Sequence, residues 1–290
     1  MYDIKPNTYF FFCNLTVHFW DWHYRKGINW YINQFDYPIN KSSSSNNNPH
    51  YGEITPDYIV LPSQTILEIS KCYPQLKLIF IARNLLDRVW SAMIMELRDQ
   101  SFGLNAGEFH KGVITGGDTT SSNNKKAKHS SSSSMSVAQQ RRIQQQSSPS
   151  AQSDEYYLER LRSETHTSRS DYAKHLKHWY THFPSENILL VDFRDIESKP
   201  REVLLKIVMH IGVTESEARA YIDQLNDDHV RQRVNAATNT SCTDKTGTSS
   251  QHSLSERPRL MKQIKQYLHP FAVNFNALLK EKGYTWKLDE

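Results

Sequence analysis

A chain of 290 residues with 38% apolar content and a formal charge of +4 is long enough for one large α/β domain or two small ones, with a real core once its polar tracts are set aside. So mild a charge favours anionic ligands, and the sequence lacks the dense basic run with interleaved aromatics that would point to nucleic acid. No apolar run approaches the ~20 residues that span a bilayer, and three cysteines, Cys13, Cys72 and Cys242, stand at no metal-ligand spacing and argue against a disulfide scaffold, leaving at most one bridge.

The aromatic patch Tyr9–Phe12 is too short for the apolar core of a signal peptide. From Thr16 the chain reads TVHFWDWHYRKGINWYINQF, in which Trp30, Tyr31 and Phe35 suit one face of a short helix. His18 admits two readings: a general base, because imidazole titrates in the useful range, or a packed ring with one satisfied nitrogen. A polar spacer, NKSSSSNNNPH, follows between Asp36 and Tyr51 and reads as a flexible insertion. Glu53, Thr55 and Pro56 end a short strand. Ser63 then caps a helix that runs through Ile66, Leu67 and Ser70 to Cys72 and stops before Pro74.

The stretch LKLIFIARNLLDRVWSAMIM, Leu76 to Met95, predicts strand, sharp turn and helix. Leu78–Ala82 is continuously apolar, which suits a parallel strand covered on both faces. Asn84 caps the helix that starts near Leu85, with Asp87 in its first turn, where free amides and the dipole favour a carboxylate. Arg83 then lies at the carboxyl end of a buried strand, where open α/β sheets bind ligands, while Arg88 and Ser91 project from the next helix. Two guanidiniums, a hydroxyl and helix-start amides suit one terminal phosphate. The plainer alternative pairs Arg88 with a surface carboxylate and packs Ser91 on the sheet.

Beyond this helix, Gly103–Gly117 leads into a Ser-, Gln-, Asn- and Lys-rich tract ending at Ser153, which cannot bury enough apolar surface to order itself. Lys125, Lys126 and Lys128 admit a nuclear signal or a polyanion contact, but read first as part of a solvated loop inserted into a folded domain, since closure entropy grows slowly with loop length. From Asp171 to Val213 a further αβα step is predicted. Tyr172, Leu176, Trp179 and Phe183 share a helical face, Ile188–Phe193 forms a buried strand, and Val203–Ile211 is a helix ended by Gly212. Thr214 and Glu217 make a capping box for another helix through Leu225. After a polar segment, Leu260, Ile264 and Leu268 build one helix and Phe271, Phe275, Leu278 and Leu279 a second. Pro270 marks their join, Gly283 the stop, and Trp286 docks the tail.

Arg83, Asn84, Leu85, Arg88 and Ser91 resemble the 3'-phosphate-binding motif Arg-Asn-Pro-x-x-Arg-x-x-Ser of sulfotransferases that use 3'-phosphoadenosine 5'-phosphosulfate (PAPS). Leu85 replaces a proline that is favoured but not required at a first helical position. GEITPDYIVLP, Gly52 to Pro62, resembles the Gly-Glu-x-Thr-Pro-x-Tyr block of bacterial and heparan-sulfate-type members, with Ile54 where a lysine is usual. His18, Phe19, Trp20, Asp21, Gly27, Trp30 and Tyr31 fall in register with the family segment Lys-Glu-x-His-[Phe/Tyr]-Phe-Asp and its Trp-Tyr helix, but Leu15 and Thr16 replace its lysine and its glutamate base. SDYAKHLKHW, ENILLVDFRDI and KPREVLLKIVMHIGV are similar to the family's carboxyl half, with Arg169 and Ser170 near where relatives place substrate-lining or donor-contacting residues.

The resemblance implies a P-loop-NTPase-like three-layer α/β fold with a central parallel sheet, here missing its first strand and its 5'-phosphosulfate loop. The Gly107 to Gly112 spacing is no substitute, being followed by Val113 and Ile114. Residues 1–15 are expected to be foreign to the family, since YFFFCNL is what a pyrimidine-rich intron end encodes. Residues 16–290 are expected to form one domain with insertions at about 40–50 and 116–153. The implied activity is transfer of a sulfuryl group from PAPS, without metal, to a hydroxyl or amine of a glycan or small acceptor. In this reading Arg83, Asn84, Arg88 and Ser91 bind the donor, Lys245 and Gly247 cover its 3'-phosphate, and His18 and Asp21 serve catalysis. The alternatives are a catalytically impaired binder of nucleotide or glycan on the same fold, and a kinase-like enzyme, against which the missing Gly-x-x-x-x-Gly-Lys-[Ser/Thr] loop argues. The compartment would be the Golgi lumen if an amino-terminal anchor precedes the chain, and otherwise the cytoplasm.

Overall fold

The computed structural model describes residues 10–12, 17–35, 50–101, 152–226 and 254–289. Its strands pair as two parallel couples among these residues. β1 (Phe10–Phe12) lies beside β2 (His50–Gly52), and β3 (Leu78–Ala82) beside β4 (Ile188–Asp192), with Leu78 opposite Ile188 and Ala82 opposite Asp192. The parallel sheet is therefore seen here as couples, and Phe10–Phe12, which the sequence reading leaves without structure, supplies one of the strands. The insertions at about 40–50 and 116–153 fall almost wholly outside the described residues, as do Lys245 and Gly247.

The helices are α1 (Ile28–Ile32), α2 (Ser63–Cys72), α3 (Leu85–Ser101), α4 (Asp154–Leu161), α5 (Glu164–Ser170), α6 (Tyr172–His182), α7 (Phe193–Ser198), α8 (Pro200–His210), α9 (Glu215–Asp223) and α10 (Pro258–Glu281). None is long and apolar enough to cross a membrane. α3 shows why the central stretch folds as it does. Leu85, Val89, Met93 and Leu97 recur every fourth residue, and all are at most 3% exposed, so one stripe of the helix faces the core. On α6 the expected face is likewise buried, through Tyr172, Leu176, Trp179 and then Phe183. The capping box at Thr214 and Glu217 is present in both directions, and Gly212 and Gly283 adopt left-handed φ of 103° and 79°.

Three expectations need correction. Ser63 is the first residue of α2 rather than its cap, and its hydroxyl bonds His182 Nε2 at 2.8 Å. Pro270 does not separate two helices but lies inside α10, a continuous helix of 24 residues. An interior proline costs a helix about 3 kcal/mol. Here the buried row Leu260, Ile264, Leu268, Ala272, Phe275, Leu278 and Leu279 passes straight through it, and at roughly 1.5–3 kcal/mol per large buried side chain that row outweighs the local penalty.

The third correction concerns β3. Phe80 packs edge-on to Tyr172 and Phe275, with ring centroids 5.0 and 6.3 Å away, so one face of the strand is core. Ile79 and Ile81 alternate to the other face and remain 37% and 44% exposed. On that face α8 covers β4, whose Val191 is buried, and a small satellite core of Val208, Val213 and Ala218 joins α8 to α9. Among the described residues, α8 reaches β3 only at its end, where His210 Nε2 lies 3.1 Å from the Leu78 carbonyl, and no helix covers Ile79 and Ile81.

Candidate functional site

At the end of β3 the backbone turns at Arg83 and enters α3 at Leu85. Asn84 caps that helix as its sequence position predicts, its Oδ1 accepting from the amides of Leu86 at 2.9 Å and Asp87 at 3.3 Å. Two of the free amides expected to greet a ligand are thus already satisfied. The Asn84 amide nitrogen donates to Asp289 at 3.3 Å, which brings the carboxyl tail to the same edge. That tail is fixed from behind by a two-way amide clamp between Asn276 and Leu288, at 3.0 and 2.8 Å, and by Trp286, whose ring lies 6.0 Å from Phe275. Arg194, just past β4, completes the edge by binding Asp192, Asp289 and the Lys287 carbonyl.

The motif arginines divide. Arg83 is half-buried at the strand end, its guanidinium 5.3 Å from the centre of the Phe193 ring. Arg88 turns inward, where its guanidinium donates to Ser170 Oγ at 2.7 Å and reaches the His166 carbonyl at 3.5 Å. Among the described residues neither has a carboxylate partner, and Arg88 Nε is buried without an acceptor. Burial lowers the pKa of Arg88; Tyr172 opposes that shift, while the neighbouring cations Arg169 and Arg83 add to it. Burial also pushes the Tyr172 hydroxyl up to about 12, against the pull of Arg88 and Arg83. Among the described residues, the positive charge that Arg83 and Arg88 bring to the carboxyl end of β3 is paired with no carboxylate, those at this edge being held by Arg194 and Asn84. Ser91 is exposed on the outer side of α3.

Behind the motif, α3 is braced by a second polar cluster. Glu96 binds Arg160 of α4 and lies 3.1 Å from His166 Nε2 of α5. Burial disfavours its charge, but the contacts with His166 and Arg160 outweigh that and hold its carboxyl down at about 2.

The second corner forms around His18, which has φ 51° and ψ 37°, the left-handed region, and is the one non-glycine residue there among those described. The chain continues as a π-helical turn, Phe19–His23, with the amides of Trp22 and His23 both donating to the His18 carbonyl at 3.0 and 2.9 Å. Left-handed backbone at such a residue costs about 1–3 kcal/mol, so other contacts must over-determine it. They come from the segment after β2. The His18 amide reaches Thr55 Oγ1 at 3.5 Å, while Tyr58 OH accepts from the amides of Phe19 and Trp20 at 2.9 and 3.3 Å. Both hydroxyls then donate to Glu53 Oε2, at 3.0 and 3.2 Å, and Tyr31 OH donates to Oε1 at 2.6 Å.

This turn sets the imidazole. His18 Nδ1 lies 2.8 Å from Asp21 Oδ2, and because an ionised carboxylate only accepts, this contact favours the proton on Nδ1, which in a neutral ring leaves the lone pair on Nε2. Asp21 Oδ1 accepts from the Trp22 amide at 2.8 Å, and the His18 ring stacks on Trp22 with centroids 3.7 Å apart and planes 3° from parallel. Donor atoms of His18, Asp21 and Asp57 lie within 4.8 Å of one another, a grouping that could hold a metal ion. The Asp57 carboxylate, however, is already gripped by Arg169 in a two-pronged pair, both bonds 2.9 Å. A guanidinium thus supplies the positive charge that the Asp57 carboxylate needs.

The structure sets His18 with Asp21 in one corner and Arg83 with Asn84 in the other, while Arg88 faces inward and Ser91 outward. Sequence reasoning missed Glu53 as a hub, Tyr31 and Tyr58 as its donors, and the Arg169–Asp57 pair that ties α5 to the turn after Thr55. The block from Glu53 to Tyr58 carries the residue types for such a hub, but only the fold shows what they bind.

A family model described as "Sulfotransferase domain" matches residues 14–281. Among solved structures, a sulfotransferase from Alicyclobacillus acidocaldarius is similar at 15% identity and a TM-score of 0.51, over 95% of this chain and 86% of that one. At such identity the likeness speaks for the fold alone. No curated protein matches the chain.

Proposed function

Because the chain belongs to the sulfotransferase domain family, we propose that it transfers a sulfuryl group from PAPS to a hydroxyl or amine of a carbohydrate. The observation that carries this reading is the pair of guanidiniums at the end of β3, the half-buried Arg83 and the half-buried, inward-turned Arg88, which have no carboxylate partner among the described residues. A cation partly withdrawn from water without a counter-ion is costly, and a doubly charged phosphate would relieve it. In this reading Arg83 binds the donor's 3'-phosphate with Ser91 beside it. Arg88 contributes charge from behind and fastens α5, and Asn84 acts as the cap that holds the helix start in place. Lys245 and Gly247 are proposed as a cover for the same phosphate.

His18 supplies the acceptor side. With Nδ1–H tied to Asp21, its Nε2 can take the proton of the acceptor as the acceptor's oxygen or nitrogen attacks sulfur. The bond between sulfur and the bridging oxygen breaks, and 3'-phosphoadenosine 5'-phosphate leaves with the electron pair. Asp21 orients the imidazole and offsets the charge that it gains, a role long attributed to a buried carboxylate behind a catalytic histidine. Arg169, held beside this corner by Asp57, adds positive charge near the transferring group. No metal takes part.

The test is calorimetric binding of 3'-phosphoadenosine 5'-phosphate to the full chain and to Arg83→Ala. Loss of binding in the variant supports the donor site, and a folded wild type that binds nothing overturns it. A second reading, nucleotide or glycan binding without turnover, is favoured by Leu15 and Thr16, where the family carries lysine and glutamate. Transfer of labelled sulfate to a panel of sugar and amine acceptors separates the two.

A further inference from the structure

We propose that Glu53 is a positioning residue for His18: by gathering the hydroxyls of Tyr31, Thr55 and Tyr58 it holds the left-handed turn at His18 and so keeps the imidazole against Asp21 with Nε2 free to accept a proton. The inference rests on the acceptor-side role proposed for His18, and it concerns a residue that touches neither reactant.

The argument is one of proton direction. Tyr58 has one hydroxyl proton, and its oxygen already accepts from the amides of Phe19 and Trp20. Thr55 has one hydroxyl proton, and its oxygen faces the amide of His18. Each proton is therefore left to donate onward, and both go to Glu53 Oε2. Tyr31 donates to the other oxygen. The centre of this arrangement must be a group that only accepts, which a carboxylate is and an amide is not. Burial, with the Glu53 charge adding to it, pushes the Tyr31 and Tyr58 hydroxyls well above the ordinary phenol range, so both remain donors.

The backbone consequence reaches the ring. Thr55 holds the amide of His18 itself, and Tyr58 holds the two amides that follow, so Glu53 fixes the two peptide units that flank His18 and define its left-handed step, together with the unit after them. The Nδ1 to Asp21 bond spans three residues across that same step. If His18 relaxes to negative φ, its ring swings away from Asp21. Free histidine prefers the Nε2–H tautomer, whereas the bond to Asp21 imposes Nδ1–H. Glu53 thus controls, through others, which nitrogen carries the lone pair.

The experiment reads that tautomer in the full chain labelled with ¹⁵N at histidine, using two-bond nitrogen–proton correlation with His18 assigned by its loss in His18→Gln. Wild type is expected to show Nδ1–H. Glu53→Gln is expected to convert most of the population to Nε2–H, while affinity for 3'-phosphoadenosine 5'-phosphate stays within about twofold, as for sites that share no partner. An unchanged tautomer in folded Glu53→Gln overturns the proposal. If that variant does not fold, Thr55→Val cuts the same path at one bond, with the same expected shift and the same refuting result. The ring signal is read without nucleotide, so a wild type that fails to bind nucleotide counts against the donor site and leaves the Glu53 result to be judged by itself.

Discussion

At the end of β3 the strand's last residues, the Asn84 cap and the first turn of α3 follow one another directly, whereas the turn at His18 is held by hydrogen bonds to residues 37 to 39 positions away. The first corner is made by local rules. A run of apolar residues ends, an asparagine accepts from amides two and three residues on, and a stripe of every fourth residue buries the helix. The second corner goes against local preference, with a histidine in left-handed backbone followed by a π turn, and it persists because a distant carboxylate and three hydroxyls over-determine it. Under the proposed function, the difference teaches that a phosphate site can be carried by a short contiguous motif, whereas a base that must present one particular nitrogen needs a framework drawn from elsewhere in the chain.

The largest effect is expected where the local corner depends on something not local. Glu96→Gln removes the charge that braces α3 against α4 and α5. The folded carboxyl sits at about 2, below its ordinary value of 4.5, so its contribution is present above the ordinary carboxylate range and is lost as pH falls from there toward 2. Denaturant unfolding at neutral pH should show a loss of roughly 3 kcal/mol, and the variant should lack that part of the wild type's acid dependence. Equal stability at pH 7 would mean that α3 stands without its brace.

Next comes the distant corner. Tyr58→Phe deletes one oxygen but leaves the amides of Phe19 and Trp20 without their acceptor, which should cost about 2 kcal/mol in equilibrium unfolding. Nucleotide affinity should hardly move, and a joint loss of both would show that the two corners are one cooperative unit. Asn84→Ala should cost about 1 kcal/mol, the worth of an ordinary helix cap, and should weaken nucleotide binding together with stability. The smallest effect is expected at Ile81→Thr, on the solvent side of β3, where a change within about 0.5 kcal/mol is normal for a surface position. A loss several times larger would reveal that something covers this face in solution.

These differences also explain what could be read from the sequence. The start of α3, the buried face of α6, the capping box at Thr214 and the stop at Gly283 each express a local rule, and each is found where the residues predict it. Pro270 misleads because a local rule loses to a buried stripe that only the packed helix displays. Ile79 and Ile81 mislead because an apolar run says that a strand is sticky, not that a second layer reaches it. In the candidate site, Arg83, Asn84, His18 and Asp21 were legible as residue types in a pattern. The inward turn of Arg88 toward Ser170 and the convergence on Glu53 were not, because each depends on partners brought together by the fold.

The near-parallel stack of His18 on Trp22, 3.7 Å between centroids, has an optical side. Indole emission depends on what the ring touches, so Trp22 is a built-in lamp for this contact, and the emission that Trp22→Phe removes is the part that reports on the stack with His18. That would let the closing and loosening of this corner be watched in dilute solution, on a stopped-flow timescale and without isotopes.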